Sequence, residues 1–139
     1  MKNIRIGITH GDINGIGYEV IMKALSDIRV TEDKTIIVYG SPKVAAFHRK
    51  SLELPNFNFN LISQADEANP KRANIIDCVD ADIRVDAGTS TVEAGKASFA
   101  ALKKAVEDLK NNKIDVVVTA PINKKNIHEA GFDFPGHTE

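Results

Sequence analysis

The sequence contains a single cysteine, Cys78, among 139 residues, so no disulfide can form within the chain. Cys78 lies between apolar neighbours, which favours a small buried hydrophobic residue over a nucleophile. The sequence also has no large excess of positive or negative charge, because 18 basic and 19 acidic side chains give a net charge of -1. This balance argues against nucleic acid or an anionic membrane as a partner.

Long apolar segments are absent as well. No run approaches the roughly 18 residues that a membrane-spanning helix needs, and the opening residues lack the apolar core and cleavage site of a signal peptide. We therefore expect a cytoplasmic protein. With 42% hydrophobic and 27% charged residues, the composition is typical of a soluble globular domain.

Strand and helix patterns alternate along the chain, which predicts an α/β fold with a mostly parallel sheet flanked by helices. Isoleucine-rich residues 3–9 and residues Lys34–Gly40 predict two strands. The alternating segment 56–62 predicts a half-exposed strand near an edge, with Phe57, Phe59 and Leu61 on one face. The β-branched run 114–120 predicts a central strand covered on both faces.

Two helices show apolar stripes that we expect to face the core. The first stripe consists of Val20, Ala24 and Ile28, and the second of Phe99, Leu102, Val106 and Leu109.

Capping signals mark three helix ends. Ser41 followed by Pro42 predicts an N-cap and first turn, and Ser90 with Glu93 fits a capping box. Asn123 predicts the cap of a short helix that Gly131 ends.

The first candidate site follows the first predicted strand. Gly11, Gly15 and Gly17 lie within seven residues and lead into a helix N-terminus, a geometry that suits an anion such as phosphate. The spacing G-x-x-x-G-x-G matches neither the dinucleotide fingerprint nor the P-loop. A purely structural tight turn is therefore an equal alternative.

The second candidate site follows the β-branched strand, in the segment Pro121 to Lys125. A lysine at a strand end can bind a phosphate or a carboxylate. For Lys125 a solvated helix start is the better interpretation. For Asn123, an N-cap and a ligand contact are equal alternatives.

Four histidines complete the inventory of reactive side chains. We expect His48 and His128 at the surface, whereas His10 lies inside the glycine turn and fits either a buried or a functional role. None shows a close metal-ligand pattern with another histidine or with cysteine. His137 follows a Pro-Gly turn, where a mobile terminus without a role is an equal alternative to a site.

Three motifs together resemble the 4-hydroxythreonine-4-phosphate dehydrogenase (PdxA) family. The segment "THGDINGIGYE" resembles T-x-G-D-x-x-G-I-G-x-E, "VVVTAPINK" resembles a strand with T-x-P-I-N-K, and "GFDFPGHTE" resembles G-x-x-F/Y-x-G-H-T-E. The chain departs from the family's more familiar residues at His10, Ile13, Asn14 and Tyr18. The glycine spacing is intact, so these departures suggest a sub-branch with the same function.

The resemblance implies an isocitrate/isopropylmalate dehydrogenase-like fold, a homodimer, NAD, and a divalent metal (zinc, cobalt or magnesium). The implied reaction oxidises 4-phosphooxy-L-threonine and decarboxylates it to 3-amino-2-oxopropyl phosphate in pyridoxal phosphate (vitamin B6) biosynthesis. By motif match, His137 and Thr138 are implied to bind substrate. Asp12, Asn123 and Lys124 become candidates for a phosphate-binding or active-site loop.

Family members are considerably longer, and their metal-ligating histidines lie downstream of G-H-T-E. The resemblance thus implies that residues 1–139 are the N-terminal α/β portion of a longer two-domain enzyme, that the metal-binding part is absent, and that this chain alone is inactive. Two alternatives remain open. One is a related decarboxylating dehydrogenase of another phosphorylated hydroxy acid, and the other is a non-catalytic phosphate-binding α/β module.

Overall fold

A computed structural model of the protein defines residues 3–54 and 57–131. Within them, five strands form one sheet in the order β3-β4-β2-β1-β5, and every neighbouring pair is parallel. The strands are β1 (Ile4–Thr9), β2 (Lys34–Gly40), β3 (Asn60–Ile62), β4 (Ala73–Asp77) and β5 (Val116–Thr119). The predicted parallel α/β architecture is confirmed.

Five helices connect and cover the strands. They are α1 (Gly17–Leu25), α2 (Ile28–Thr31), α3 (Pro42–Ser51), α4 (Val92–Lys110) and α5 (Lys124–Glu129), with a 3-10 turn at Ala65–Glu67. Among the described residues, none of these helices is long and apolar enough to cross a membrane.

The side chains of β2 alternate between two apolar clusters, as the pleat of a strand requires. Ile36 and Val38 pack in one cluster with residues of α1 and α3, whereas Ile37 and Tyr39 pack in the other with residues of α4. The sheet is therefore buried on both faces at its centre, and the core consists of two layers.

Helix α4 packs on the sheet through small residues, so the predicted apolar stripe is wrong. The buried face carries Ala94, Ala97, Ala101 and Ala105, while Val106 is 50% exposed. Small side chains let the helix approach a sheet face that already carries the large Tyr39 ring, whose hydroxyl donates to Asp108 Oδ2 at 2.6 Å.

The predicted stripe of α1 is also wrong. Val20 is 47% exposed and Ile28 75% exposed, and Ala24 is exposed too. The side chains that enter the core come from the next stripe around the helix, namely Tyr18, Ile21, Met22 and Leu25. The helix thus has two apolar stripes, and only one is covered by the described residues.

The capping predictions are confirmed at two of three ends. The Ser41 side chain accepts from Val44 N, and the Asn123 side chain accepts from Asn126 N. At α4 the cap is Thr91 and not Ser90, because the Thr91 hydroxyl accepts from Ala94 N and also receives a bond from Asn14. Gly131 follows α5 with a φ of 98°, as its predicted role requires.

The two outer strands differ from expectation in different ways. β3 lies at one edge as predicted, but it begins at Asn60, and Leu61 is 63% exposed. The strand predicted to be central, β5, is outermost among the described strands. Val116 and Val118 on one of its faces are 41% and 49% exposed. The β-branched side chains of β5 predicted burial on both faces, but the described residues bury only one of them.

Helices α4 and α5 cross so closely that adding one methyl group at the contact should destabilise the fold. A Cβ at Gly95 would overlap the carbonyl oxygen of Asn126, so Gly95→Ala should lower the free energy of unfolding by about 1–3 kcal/mol. An unobstructed Gly→Ala change in a helix would instead stabilise by roughly 0.5–1 kcal/mol. Urea unfolding gives the sign, with the exposed Lys103→Ala as control. Increased stability in Gly95→Ala would contradict the crossing.

Candidate active site

The strand order places a crevice at the carboxyl ends of β1 and β5. The chain passes from β1 to β2 on one side and later returns from β4 to β5 on the other side of β1. In parallel sheets, ligands bind outside the carboxyl ends at such a change of direction. The loops that follow β1 and β5, residues 10–16 and 120–123, form this site.

Backbone contacts join the two loops. Ala120 N donates to Thr9 O at 3.1 Å, and Asp12 N donates to Pro121 O at 2.9 Å. Gly11 lies between these bonds with a φ of 68°, and a Cβ there would overlap the Pro121 carbonyl oxygen. The glycine is therefore required by the close approach of two backbones, as the tight-turn alternative predicts.

Asp12 organises the loop from within. Its Oδ1 accepts from Asn14 N at 3.1 Å, and its Oδ2 lies 3.3 Å from where a Cβ of Gly15 would be. The loop thus places a carboxylate beside the N-terminus of α1. A negative charge at this point disfavours a phosphate on the glycine loop itself.

The other side of the crevice carries Asn123 and Lys124. Asn123 Oδ1 accepts from Asn126 N at 3.1 Å, so its capping role is confirmed. Lys124 is an exposed residue at the first position of α5. Lys125 is directed to solvent, where it pairs with Glu129 at 4.0 Å. The predicted residues Asp12, Asn123 and Lys124 therefore occupy one edge of the sheet, on two adjoining loops.

His10 is fully buried and bonded on both ring nitrogens. Nε2 lies 2.9 Å from the carbonyl oxygen of Ala97, and Nδ1 lies 2.9 Å from the hydroxyl of Tyr18. Because a carbonyl only accepts, Nε2 carries the proton and Nδ1 accepts from Tyr18. The same hydroxyl oxygen accepts from Ser41 N at 2.9 Å. Of the two roles open for His10, the structure supports the buried one.

Burial keeps this pair neutral. It lowers the pKa of His10 to about 4, although the bond to Ala97 opposes the shift. Burial likewise raises the pKa of Tyr18 far above its usual range. Gly40 completes the arrangement, because a Cβ there would overlap the Tyr18 hydroxyl. His10 and Tyr18 both depart from the family motif, and the structure joins them in one hydrogen-bonded pair.

His48 is buried, so its predicted surface position is wrong. Its Nε2 donates to the carbonyl oxygen of Ile13 at 2.7 Å, and its ring stacks on Tyr18 with centroids 5.7 Å apart. The polar pattern of α3 did not reveal this contact, because the partner lies on a distant loop. His128 is exposed, as predicted.

Asn14 is a positioning residue that the sequence did not reveal. Its Oδ1 accepts from Asp86 N at 2.7 Å, its Nδ2 donates to Thr91 Oγ1 at 3.3 Å, and its carbonyl accepts from Gly88 N at 2.8 Å. These bonds attach the glycine loop to the segment before α4. The one available signal was an amide residue within an apolar, glycine-rich turn.

The described residues do not fit a dinucleotide of the usual βαβ kind. That mode needs the G-x-G-x-x-G turn and an acidic residue after the second strand. Here β2 ends at Gly40, Ser41 follows as the cap of α3, and the His10–Tyr18 pair fills the space above Gly40. Within residues 3–54 and 57–131, no three His, Cys, Asp or Glu side chains are grouped to hold a metal ion.

A second cavity of about 290 Å³ lies beside the end of β4, lined by Asp80, Asp82, Glu93, Lys96 and Cys78. Burial, reinforced by Asp77, raises the pKa of the Cys78 thiol to about 12. Such a thiol is a poor nucleophile at neutral pH, as expected, although Cys78 is half-buried and not fully buried as predicted. His137 and Thr138 lie outside the described residues.

An all-parallel sheet with a crevice at its change of strand direction defines the protein as an α/β protein with a candidate ligand site, and comparison with known proteins makes this class more specific. The family described as "Pyridoxal phosphate biosynthetic protein PdxA" matches residues 32–139. The chain belongs to this family.

Individual relatives agree with this assignment. A 4-hydroxythreonine-4-phosphate dehydrogenase from Bacteroides thetaiotaomicron is 52% identical over 138 residues, which are 99% of this chain and 38% of the relative. A putative D-threonate 4-phosphate dehydrogenase from Clostridium botulinum is 36% identical over 96% of this chain and 41% of its own length. The chain therefore corresponds to about two fifths of these relatives, at their N-terminal end.

A solved structure gives the same result for the fold. The crystal structure of a 4-hydroxythreonine-4-phosphate dehydrogenase from Burkholderia phymatum superimposes with a TM-score of 0.87 at 32% identity. The superposition covers 100% of this chain and 42% of that one.

His10 makes the stability of the fold depend on pH. The folded chain keeps this imidazole neutral down to about pH 4, whereas an unperturbed histidine has a pKa of 6.5. The unfolded state therefore binds the proton first, so this stabilisation is complete above pH 6.5 and is lost as the pH falls towards 4. Between about pH 7 and pH 5, urea unfolding should record a loss of about 2 kcal/mol from this group.

His10→Gln removes the titrating ring and keeps a donor for the Ala97 carbonyl. The dependence of unfolding free energy on pH should become shallower by that amount. His128→Gln removes an exposed histidine and serves as the control. Equal pH dependence in His10→Gln and the unsubstituted chain would show that the imidazole is not held neutral.

Proposed function

We propose that a full-length protein with this N-terminal portion oxidises 4-phosphooxy-L-threonine with NAD. The resulting β-keto acid loses carbon dioxide and gives 3-amino-2-oxopropyl phosphate for pyridoxal phosphate biosynthesis. The observation that carries the proposal is the match to the Bacteroides thetaiotaomicron dehydrogenase across 99% of this chain. The position of the motif residues at the crevice supports it.

Within this chain, Lys124 is the side chain best suited to the substrate's anionic groups. It lies at the start of α5, on the loop that adjoins the glycine loop, and it has no acidic neighbour within the first turn of its helix. We assign it to the phosphate or carboxylate of the substrate. Asn123 places this lysine by capping α5.

Asp12 has a supporting role in the same proposal. Its carboxylate holds the shape of the glycine loop by accepting from Asn14 N, while its backbone N–H attaches the loop to the carbonyl of Pro121. We further propose that His137 and Thr138 bind the substrate by hydrogen bonds from the imidazole and the hydroxyl.

The remaining parts of the proposed enzyme belong to the longer chain. The described residues match neither a dinucleotide site nor a metal site. We therefore assign NAD and the divalent metal (zinc, cobalt or magnesium) to segments that the longer relatives contain beyond the matched portion. A cytoplasmic homodimer completes the proposal.

The role of Lys124 can be tested in a chimera of residues 1–139 with the remainder of the Bacteroides thetaiotaomicron relative. NADH formation from 4-phosphooxy-L-threonine, with a divalent metal present, reports turnover. Lys124→Ala should lower kcat/KM by roughly 10- to 100-fold, because a charged hydrogen bond is worth about 1.5–3 kcal/mol. Lys125→Ala, which removes the neighbouring lysine paired with Glu129, should leave kcat/KM unchanged.

Each result bears on a different part of the proposal. Equal losses in Lys124→Ala and Lys125→Ala would remove the specific role of Lys124. An inactive chimera, under conditions where the relative is active, would count against the function itself. His137→Ala in the same chimera should raise KM or lower kcat without changing the unfolding transition, and unchanged kinetics would exclude His137 from the site.

A second candidate function is oxidation of D-threonate 4-phosphate. The relative from Clostridium botulinum carries that name and is 36% identical to this chain. The two substrates share a phosphate but differ in the group at C2, which is an amine in one and a hydroxyl in the other. A comparison of kcat/KM for both compounds in the chimera decides between them, and we expect preference for the amine.

The chain of 139 residues by itself should be inactive towards either substrate. The expected result is no NADH formation in the presence of zinc, cobalt or magnesium, because the described residues offer no metal cluster. Turnover by this chain would contradict the assignment of the metal to the longer chain.

A further inference from the structure

The glycine loop contains the pair Asn14–Gly15, and no other Asn in the sequence precedes a glycine. Asn-Gly pairs in flexible peptides lose the side-chain amide readily, because glycine has no Cβ to hinder the approach of its main-chain nitrogen. In this reaction Gly15 N attacks Cγ of Asn14, the bond from Cγ to the amide nitrogen breaks, and ammonia leaves. Water then opens the cyclic imide and gives aspartate or isoaspartate at position 14.

The folded chain holds the side chain of Asn14 by both ends of its amide. Oδ1 accepts from Asp86 N at 2.7 Å, and Nδ2 donates to Thr91 Oγ1 at 3.3 Å. Both partners lie in the segment before α4, residues 86–91, whereas the attacking nitrogen belongs to the glycine loop. Closure of the imide ring requires the side chain to turn towards its own main chain, and these two bonds oppose that rotation.

The attacking nitrogen is occupied as well. Gly15 N donates to Asp12 O at 3.1 Å, so a carbonyl holds the proton that this nitrogen has to lose. The main chain of Asn14 is bonded on both sides, because its N–H donates to Asp12 Oδ1 and its carbonyl accepts from Gly88 N. The main chain next to the reacting atoms is therefore fixed, and ring closure requires it to rotate.

Water has little access to the pair. Asn14 is 3% exposed, whereas the reaction needs a base to take the proton from Gly15 N and a water molecule to open the imide. We propose that Asn14–Gly15 is a deamidation site that the fold holds inert, and that loss of the amide loosens the glycine loop from the segment before α4. The reaction then proceeds from the minor population in which this loop is open.

Deamidation changes the bonds that residue 14 can form. An aspartate keeps an acceptor for Asp86 N but lacks an N–H for Thr91 Oγ1. It also places a charge in a buried position near the carboxylate of Asp12, and a buried charge without an opposite partner is costly. An isoaspartate lengthens the main chain shortly before Gly17, where a Cβ would already overlap the carbonyl oxygen of His10. Both products therefore weaken the attachment of the glycine loop.

Peptide mapping by mass spectrometry tests the protection. Trypsin releases residues 6–23 as one peptide, and Asn14 is the only Asn or Gln within it, so a single mass change reports conversion. The folded chain is incubated at mildly alkaline pH beside a synthetic peptide of the same residues. We expect the chain to convert about tenfold or more slowly than the peptide, since the reaction has to wait for the loop to open. Equal rates in the chain and the peptide would overturn the proposal.

Variants of Thr91 show whether the attachment itself protects the site. Thr91→Ala removes the acceptor of Asn14 Nδ2 and should speed conversion in the folded chain about threefold or more. Thr91→Ser keeps a hydroxyl and should convert as slowly as the unsubstituted chain. Thr91 also caps α4, so Ser41→Ala, which removes the side-chain cap of α3, controls for a general loss of stability. Equal acceleration in Thr91→Ala and Ser41→Ala would overturn the protective role of the bond.

The effect of conversion is measured on the refolded chain. One sample is converted at Asn14 in guanidinium chloride at mildly alkaline pH, and a second is held in the same denaturant for the same time at mildly acidic pH, where the amide reacts slowly. After refolding, the converted sample should unfold at a lower denaturant concentration than the second sample. Equal midpoints would overturn the proposed loosening of the loop. Masses and unfolding transitions require no enzymatic activity, so these outcomes are independent of the proposed function.

Discussion

The buried hydrogen bond between His10 and Tyr18 is the interaction on which the carboxyl edge of the sheet depends. It joins the end of β1 to the start of α1, and through Ser41 N and the Ala97 carbonyl it reaches both α3 and α4. In this neutral pair both ring nitrogens of His10 and the hydroxyl of Tyr18 have partners, as buried polar groups require. The pair therefore fixes both ends of the glycine loop that borders the crevice.

Signals carried by neighbouring residues predicted the fold well. Runs of β-branched residues predicted β1 and β2. Ser41 and Asn123 could be predicted as helix caps because an N-cap hydrogen bond joins residues only three positions apart. Asp12, Asn123 and Lys124 could be grouped beforehand, since the carboxyl ends of parallel strands share one edge of a sheet. These predictions required no knowledge of distant contacts.

Predictions that required distant contacts were the ones that were wrong or absent. The sequence of α1 contains two apolar stripes, and its pattern alone does not show which stripe packs against the sheet. In α4 the tight fit over Tyr39 favours alanine over the larger Val106, which reverses the ordinary ranking by hydrophobicity. His48 and Asn14 bond to segments far away in sequence, so their burial became visible only in the folded chain.

The apolar surface formed by Val20 of α1 and Val118 of β5 has a consequence for biosynthesis. In a protein of the relatives' length, residues 1–139 leave the ribosome before the rest of the polypeptide. Val20 and Val118 are then exposed to solvent for the time that the ribosome needs to complete the remaining polypeptide. Exposed apolar surface during synthesis is a common origin of aggregation. The speed of translation after this unit thus becomes a determinant of how much of the protein reaches its native state.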